Sequence, residues 1–281
     1  MGTVLEEQNE TRSTETVATS DRLAVIVPVY NEERTVAELL RRLEVQPCVS
    51  QIIIVDDGST DRTYEELKPW RAMADSQRSA APTSDANHDS VAARFSEPSI
   101  IFLRHEKNCG KGRAIRTALD HVTSTHVIIQ DADLEYDPTD INKLWAVMLS
   151  GNADVVFGSR YLDNPHLQRG RWLVQSGVRF LNLLVRMLYG VKLTDEATCY
   201  KMFRMRDLRR MDLRCEQFEF CPEVIANALN SKLLLREVAV RYVPRSVACG
   251  KKLQVSDGGM AAWVLISRSF GAVRFWSRKS L

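Results

Sequence analysis

The stretch Val127-Ile128-Ile129-Gln130-Asp131-Ala132-Asp133-Leu134-Glu135 is an apolar run that ends in three carboxylates at alternate positions. Side chains alternate between the two faces of an extended chain, so this spacing predicts that Asp131, Asp133 and Glu135 point the same way where a strand ends. Neighbouring carboxylates repel one another unless a cation lies between them, and oxygen ligands without His or Cys suit Mg²⁺ or Mn²⁺. An acidic turn that caps a helix beginning at Pro138 is the simpler local explanation.

On either side of this stretch, apolar runs typical of buried parallel strands alternate with segments of helical spacing. The predicted strands cover 23–29, 51–55, 100–103, 125–129 and 153–158. The predicted helices cover 33–43, about 61–70, the segment from the Gly-rich turn at 108–112 through 119, and 138–149. This alternation predicts an α/β fold with a mostly parallel sheet and helices on both faces. Ligands of such sheets bind at the carboxyl ends of the strands.

Composition divides the chain into three parts. Residues 1–20 are rich in Thr, Glu and Ser, which predicts a disordered tail, and their polarity argues against a signal peptide. One domain is expected over 21–255, with a surface insertion or flexible loop at about 72–98, where the periodicity is lost. Residues 256–281 form a separate amphipathic segment.

The two halves of the chain carry opposite charge. Residues 1–159 contain 16 Lys and Arg against 26 Asp and Glu, a balance of −10, whereas residues 160–281 contain 22 against 10, a balance of +12. The basic half is suited to an anionic partner, such as the phosphates of a substrate or an acidic membrane surface. Nucleic acid is not expected, because there is no recognised reading motif and no basic run with interleaved aromatic residues.

The six cysteines have no CxxC spacing, which argues against a structural zinc site and a disulfide framework and favours a reducing cytoplasm. His105 and Cys109 have a spacing found in metal sites, but no partner ligands accompany them in the sequence. A solvent role for a histidine at the end of a strand is therefore preferred to metal binding.

Two segments of the basic half are predicted to be amphipathic helices, 172–189 and 260–276. Arginines interrupt both, and their apolar runs are too short to span a membrane. They resemble interfacial helices with basic and aromatic anchors, so they predict contact with a membrane surface. The alternative is that both helices simply pack on the sheet.

Three further polar segments follow predicted strands: Pro28-Val29-Tyr30-Asn31-Glu32, Asp56-Asp57-Gly58-Ser59 and Gly110-Lys111-Gly112. A nucleotide diphosphate would explain all of them together with the acidic triplet. Asp57 can accept hydrogen bonds from a base or ribose, Tyr30 can pack on it, and Lys111 can approach the diphosphate that a metal bridges.

The motifs VPVYNEE (27–33), VDDGSTDRT (55–63), NCGKGRAIRTAL (108–119), QDADLEYDP (130–138) and FGSRY (157–161) resemble those of family 2 glycosyltransferases of GT-A fold, a Rossmann-like fold. The branch they resemble includes the dolichol-phosphate and polyprenyl-phosphate mannose synthases. The resemblance implies binding of a nucleotide-sugar donor by Pro28, Tyr30, Glu32, Asp57, Lys111, Asp131, Ala132 and Asp133. It also implies Mg²⁺ or Mn²⁺ at Asp131 and Asp133, with Glu135, where the synthases often carry Gln, as a third ligand.

The resemblance continues into the basic half. Residues 195–201 resemble the acceptor-loop motif, 219–223 the opening of the next helix, and 242–245 with 250–253 a loop that closes over the substrates. Lys251 and Cys249 depart from that loop's usual residues. The resemblance implies an acceptor-phosphate cradle of Arg160, Arg171, Ser176, Arg245 and Lys252, and catalytic roles for Asp133, Asp195 and Arg245.

The expected activity is inverting transfer of a hexose, mannose from GDP-mannose by preference, to a polyprenyl or dolichyl phosphate by a peripheral enzyme on the cytoplasmic face of a membrane. A membrane-anchoring partner subunit is a further possibility. A phosphate acceptor is already an anionic nucleophile and needs positioning rather than a base, which makes Asp195 an orienting group. The alternatives are a hydroxyl acceptor with Asp195 as base, and an inactive homologue that binds nucleotide sugars.

Overall fold

One mixed sheet organises the residues that the computed structural model describes, which are 21–80, 97–163, 172–245 and 255–277. Its strands are β1 (Leu23–Val29), β2 (Val49–Asp56), β3 (Ser99–Arg104), β4 (His126–Ile129), β5 (Val155–Ser159), β6 (Lys201–Arg204) and β7 (Leu235–Ala239). Their order is β3-β2-β1-β4-β6-β5-β7, and β6 runs antiparallel to both of its neighbours. The predicted α/β architecture with a mostly parallel sheet is confirmed.

Helices connect and cover the strands. They are α1 (Val36–Glu44), α2 (Thr63–Glu66), α3 (Lys68–Ser79), α4 (Lys111–Leu119), α5 (Ile141–Leu149), α6 (Trp172–Tyr189), α7 (Met205–Leu208), α8 (Phe220–Asn230) and α9 (Val255–Ser277). A single 3₁₀ turn, Pro138–Asp140, leads into α5. The central strands β1, β2 and β4 are almost fully buried, which explains their continuous aliphatic sequences.

The predicted loop at about 72–98 begins later than its composition indicated. Helix α3 continues to Ser79, because Trp70 and Ala74 are buried four residues apart on one face of the helix. The side-chain carbonyl of Gln77 then accepts a hydrogen bond of 2.7 Å from the backbone N–H of Ile100 at the start of β3. Residues 72–79 are therefore helical, and residues 81–96 of the predicted loop lie outside the described part of the chain.

The two predicted amphipathic helices are present as α6 and α9, and they pack on each other. Leu181, Val185 and Leu265 are buried, and the Tyr189 hydroxyl donates a hydrogen bond of 2.7 Å to the carbonyl of Leu265. Within the described residues, none of the helices combines the length and the apolar character that crossing a bilayer requires. The predicted tail at 1–20 lies outside those residues.

Candidate functional site

The carboxyl ends of three neighbouring parallel strands bring the predicted donor-binding segments together. Strand β1 pairs with β2 on one side and with β4 on the other, in parallel registers that include Val29 with Asp56 and Ile26 with Ile129. The segments that follow these strands, which carry Glu32, Asp57 and Asp131 among others, consequently lie along one edge of the sheet. This juxtaposition agrees with the prediction from the motif order.

The acidic triplet forms a cluster, but not by the geometry that its alternate spacing predicted. The chain leaves β4 as a turn rather than as a continued strand, and Leu134 adopts a left-handed backbone conformation with φ of 57°. The Asp133 carboxylate accepts a hydrogen bond of 3.1 Å from the backbone N–H of Glu135, which closes the turn. The three carboxylates therefore lie close together, as predicted. The cause is this turn and not the alternation of side chains along an extended strand.

Two basic side chains from distant segments contact this cluster. The Lys111 ammonium, at the first position of α4, lies 2.5 Å from Asp131. The Arg245 guanidinium donates to Glu32 at 2.8 and 3.1 Å and to Asp133 at 3.0 Å. Arg245 thus joins Glu32 to Asp133, and Lys111 pairs with Asp131.

The pKa values in the cluster respond to burial and to these charges. Burial raises the pKa of Asp133 to about 7, and the negative charges of Asp131 and Glu135 add to this effect. Burial would also raise the pKa of Asp131, but Lys111 holds it below its ordinary value. Burial would lower the pKa of Lys111, and the charge of Asp131 raises it instead. Asp131 and Asp133 repel each other, and their oxygen atoms fit as ligands of a hard divalent cation. Lys111 lies beside them, where it fits a diphosphate bound to that cation.

Glu135 holds the segment that carries Arg245. One carboxylate oxygen accepts a hydrogen bond of 2.6 Å from the hydroxyl of Tyr242, and the other accepts one of 2.8 Å from the backbone N–H of Arg245. Its backbone carbonyl accepts from the N–H of Val243 at 2.9 Å. The role of Glu135 as a third metal ligand stays a prediction, and its described contacts are those of an anchor for 242–245.

Asp57 is buried and organises the loop that precedes α4. Its carboxylate accepts hydrogen bonds from the backbone N–H groups of Cys109 at 2.9 Å and Gly110 at 2.8 Å, and it lies 2.6 Å from Nδ1 of His105. Gly58 adjoins this loop so closely that a Cβ atom would lie 2.5 Å from the backbone of Lys107. Base binding by Asp57 stays a prediction.

Arg160 and Asp195, two residues of the predicted acceptor side, form a buried ion pair. The guanidinium donates two hydrogen bonds of 2.7 Å, one to each carboxylate oxygen, and the Arg160 backbone N–H adds a third at 3.0 Å. Burial would lower the pKa of Arg160, and the Asp195 charge raises it well above its ordinary value. Both Asp195 oxygens thus accept hydrogen bonds from Arg160, and the predicted catalytic role of Asp195, orienting group or general base, stays a prediction.

The other residues predicted for the site make none of the ion pairs described above. Pro28 lies in β1, Ala132 is buried in the acidic turn, and Tyr30 is half-buried just after β1. Ser176 is exposed on α6, and no hydrogen bond in the described part of the chain connects it to the cluster. Arg171 and Lys252 lie outside the described residues.

The half-buried Glu237 and the buried Lys201 support the predicted acceptor loop, a role that the sequence analysis gave to neither side chain. The Glu237 carboxylate, on β7, accepts hydrogen bonds from the backbone N–H groups of Thr194 and Asp195. The Lys201 ammonium, on β6, donates to the backbone carbonyls of Glu196 and Thr198. The Glu237 contacts span 43 and 42 positions and depend on the folded sheet, so no local pattern could reveal them. Lys201 lies within the motif at 195–201, and its contacts are local.

Two relatives are similar in sequence to this protein over most of its length. The UDP-N-acetylglucosamine–dolichyl-phosphate N-acetylglucosaminyltransferase of Methanococcus voltae is 28% identical over 239 residues, which cover 82% of this chain and 90% of that protein. The dodecaprenyl-phosphate galacturonate synthase of Rhizobium johnstonii is 25% identical over 244 residues, which cover 85% of this chain but 64% of that longer protein.

The fold also matches a solved structure, the glucosyl-3-phosphoglycerate synthase of Mycobacterium tuberculosis in complex with Mn²⁺, UDP and phosphoglyceric acid. The TM-score is 0.61 at 16% identity, with 89% of this chain and 79% of that chain covered. At this identity the likeness speaks for the fold, and it confirms the expected GT-A architecture. The family model of "Glycosyl transferase family 2" matches residues 24–212, and the chain accordingly belongs to glycosyltransferase family 2.

Proposed function

We propose that this protein transfers a hexose from a nucleotide-diphosphate sugar to a polyprenyl phosphate, with inversion at the anomeric carbon. The observation that carries the proposal is the convergence of Glu32, Asp131 and Asp133 with Lys111 and Arg245 at the carboxyl edge of the sheet. Acidic groups for a metal and basic groups for phosphates are the two requirements of a diphosphate leaving group.

Asp131 and Asp133 are the residues proposed to hold Mg²⁺ or Mn²⁺, with Glu135 beside them. When bound, the metal would neutralise charge on the departing diphosphate. Lys111 is positioned to contact the same anion, because it already lies 2.5 Å from Asp131. Solved structures of the same fold contain UDP together with Mn²⁺ or Mg²⁺, which agrees with the proposed cofactor.

The acceptor is proposed to be a lipid phosphate, as it is for the dolichyl-phosphate and dodecaprenyl-phosphate enzymes similar to this chain. A phosphate oxygen attacks without a general base, which agrees with an Asp195 that is fully engaged by Arg160. Arg245 is proposed to position the acceptor phosphate once donor and metal replace its contacts with Glu32 and Asp133. Arg171, Ser176 and Lys252 complete the proposed cradle.

The enzyme is further proposed to lie on the cytoplasmic face of a membrane through α6 and α9. Among the side chains of α6 and α9 that the structure describes, the large apolar ones that are exposed are Phe180, Leu183, Met187, Met260 and Trp263. The first three are spaced on one face of α6, and exposed arginines at 179 and 186 flank them. An apolar face with basic neighbours suits an anionic lipid surface. A membrane-anchoring subunit remains a further part of this proposal.

The test is a panel of radiolabelled nucleotide sugars offered with Mg²⁺ or Mn²⁺ and a short-chain polyprenyl phosphate. GDP-mannose is the preferred donor on sequence resemblance. UDP-N-acetylglucosamine, the donor of one relative, and a nucleotide-diphosphate galacturonate, which carries the sugar of the other, complete the panel. We expect one donor to transfer label to the organic phase. Label that stays in the aqueous phase with every donor would refute the lipid acceptor, and label transferred to a soluble hydroxyl compound would favour the alternative acceptor.

A further inference from the structure

Asp57, His105 and Cys109 meet beside the acidic cluster although they come from two separate segments of the chain. Asp57 follows β2, His105 follows β3, and Cys109 precedes α4. One ligand atom from each, a carboxylate oxygen, an imidazole nitrogen and the thiol sulfur, lies within 4.8 Å of the other two. The sequence shows only the His105 and Cys109 spacing, and the fold supplies the third group from the neighbouring strand.

Hydrogen bonds position the Asp57 carboxylate, the His105 ring and the backbone of Cys109, while the Cys109 thiol donates a hydrogen bond of 3.3 Å to the carbonyl of Lys107. The Asp57 carboxylate lies 2.6 Å from Nδ1 of His105 and also holds the backbone N–H of Cys109 at 2.9 Å. On the far side of the imidazole, Nε2 lies 3.0 Å from the hydroxyl of Thr117 on α4. An outer hydrogen-bond partner of this kind orients the ring of metal-binding histidines.

Only small movements separate this arrangement from a tetrahedral metal site. Bond lengths of about 2.0 to 2.3 Å place the ligand atoms of a zinc ion about 3.3 to 3.7 Å apart. The Asp57 and His105 atoms would need to separate by under about 1 Å, and the Cys109 sulfur to approach by up to about 1 Å, which a χ1 adjustment allows. A carboxylate only accepts hydrogen bonds, so Nδ1 of His105 donates to Asp57, and a bound metal would take the place of that proton.

We propose that Asp57, His105 and Cys109 form a binding site for a borderline transition-metal ion of the Zn²⁺ class, with water as the fourth ligand. The sulfur and nitrogen donors distinguish this site from the oxygen ligands at Asp131 and Asp133, which suit Mg²⁺ or Mn²⁺. Asp57 is also the predicted contact for the nucleotide, so an ion held there would compete with the donor. That consequence rests on the proposed function, whereas metal binding does not.

The first experiment is optical titration of the full-length protein with Co²⁺, a spectroscopic substitute for Zn²⁺. We expect a thiolate-to-cobalt charge-transfer band and tetrahedral d–d bands, which Zn²⁺ abolishes and excess Mg²⁺ does not. In Cys109→Ser the charge-transfer band should vanish and the affinity for Co²⁺ fall by more than about tenfold. Cys48→Ser, which changes a partly buried thiol outside this group, should behave like the parent protein.

Cys109→Ser keeps the backbone N–H of residue 109 that donates to Asp57. Its circular dichroism spectrum and thermal midpoint should therefore match those of the parent protein. Absence of the charge-transfer band in the parent protein, or its persistence in folded Cys109→Ser, would overturn the proposal. His105→Gln should weaken the d–d bands, and unchanged bands would overturn the assignment of His105 as a ligand.

The competition is tested separately by adding UDP or GDP to the Co²⁺-loaded protein. A fall in the charge-transfer band as nucleotide is added would support shared use of Asp57. A band that nucleotide leaves unchanged would refute competition while the metal site stands. Because the band is read without any sugar transfer, a failed transfer assay refutes the proposed function without affecting this result.

Discussion

Asp133 is the residue on which the proposed chemistry depends most. It contacts Arg245 from one side, shares the acidic turn with Asp131 and Glu135, and has its pKa raised to about 7 mainly by burial. A side chain so placed gains most from a cation that replaces the lost solvation.

Replacement of Asp133 by Asn should lower the transfer rate by about 10²- to 10³-fold, because it removes a ligand and a charge from the metal that stabilises the leaving diphosphate. Binding of Mn²⁺, followed by electron paramagnetic resonance, should weaken in parallel. Asp75→Asn alters an exposed carboxylate on α3 and serves as the control. Full turnover in Asp133→Asn would exclude Asp133 as a metal ligand.

The raised pKa of the buried Glu196 carboxyl should make the stability of the protein depend on pH, independently of catalysis. Burial raises its pKa to about 7 from an ordinary 4.5, against the opposing charge of Lys201, and Oε1 has no hydrogen-bond partner among the described residues. The folded protein therefore binds this proton more tightly than the unfolded chain does. The free energy of unfolding should fall as the pH rises from 4.5 to about 7, by about 1 to 3 kcal/mol, and stay level above.

In Glu196→Gln this contribution should be absent, so the variant should exceed the parent protein in stability at pH 8 and lose the difference at pH 4.5. Urea denaturation across the pH range measures both. Glu106→Gln, at an exposed position, provides the baseline. Parallel curves for the parent and Glu196→Gln would show that Glu196 does not titrate in this window.

The ion pair of Arg160 and Asp195 should contribute far more to stability than an exposed pair of the same type. Asp195→Ala leaves a buried guanidinium without its partner, and we expect a loss of about 3 to 5 kcal/mol in the free energy of unfolding. The exposed pair of Asp75 and Arg78 gives the comparison, and Asp75→Ala should cost less than about 1 kcal/mol. Equal losses in the two variants, measured by urea denaturation, would contradict this view of the pair.

At the scale of elements, strands and helices with continuous or periodic apolar residues could be predicted closely. Strand β1 and helix α6 were predicted with the boundaries they have. A strand buried on both faces has a continuous apolar sequence, and a helix buried along one face has apolar residues at helical spacing. The end of α3 was missed because residues 72–79 are rich in small and polar residues. Their helical state depends on contacts of Trp70 and Gln77 with other elements.

The candidate site was predictable only in part. Its donor-side residues follow strands, and parallel strands end at a common edge, so their proximity could be inferred. The pairing of Arg245 with Glu32 spans 213 positions, and the turn at Asp133 depends on the backbone angle of Leu134. No local pattern specifies the ion pair, because it joins distant segments. The left-handed conformation of Leu134 could not be predicted either, because leucine rarely adopts it.

The exposed face of α6 should determine membrane binding. We expect the double variant Phe180→Glu/Met187→Glu to bind anionic vesicles at least about tenfold more weakly in a sedimentation assay. It removes apolar area that the membrane would bury, and its two new carboxylates are repelled by the anionic lipids. Val45→Glu makes a similar change at an exposed valine after α1 and should have little effect. Unaltered vesicle binding by the double variant would assign the face another role.

For the whole molecule, the opposite charges of the two halves match the division of labour that we propose. The acidic half, with a balance of −10, supplies Glu32, Asp131 and Asp133, and the basic half, with +12, supplies Arg245. Contacts between the halves thus occur at the site itself. The charge pattern predicted an anionic partner, while the identity of that partner depends on the proposed function.

The reversed direction of β6 explains how the two halves come to share one edge of the sheet. In a parallel strand the residues that precede it lie at the amino edge, about 13 Å away for a strand of four residues. Because β6 runs against β4 and β5, the loop with Asp195 and Glu196 enters the sheet from the carboxyl edge. The antiparallel strand β6 therefore carries this loop to the same edge of the sheet as Glu32, Asp57 and Asp131, without any change in the parallel register of β1, β2 and β4.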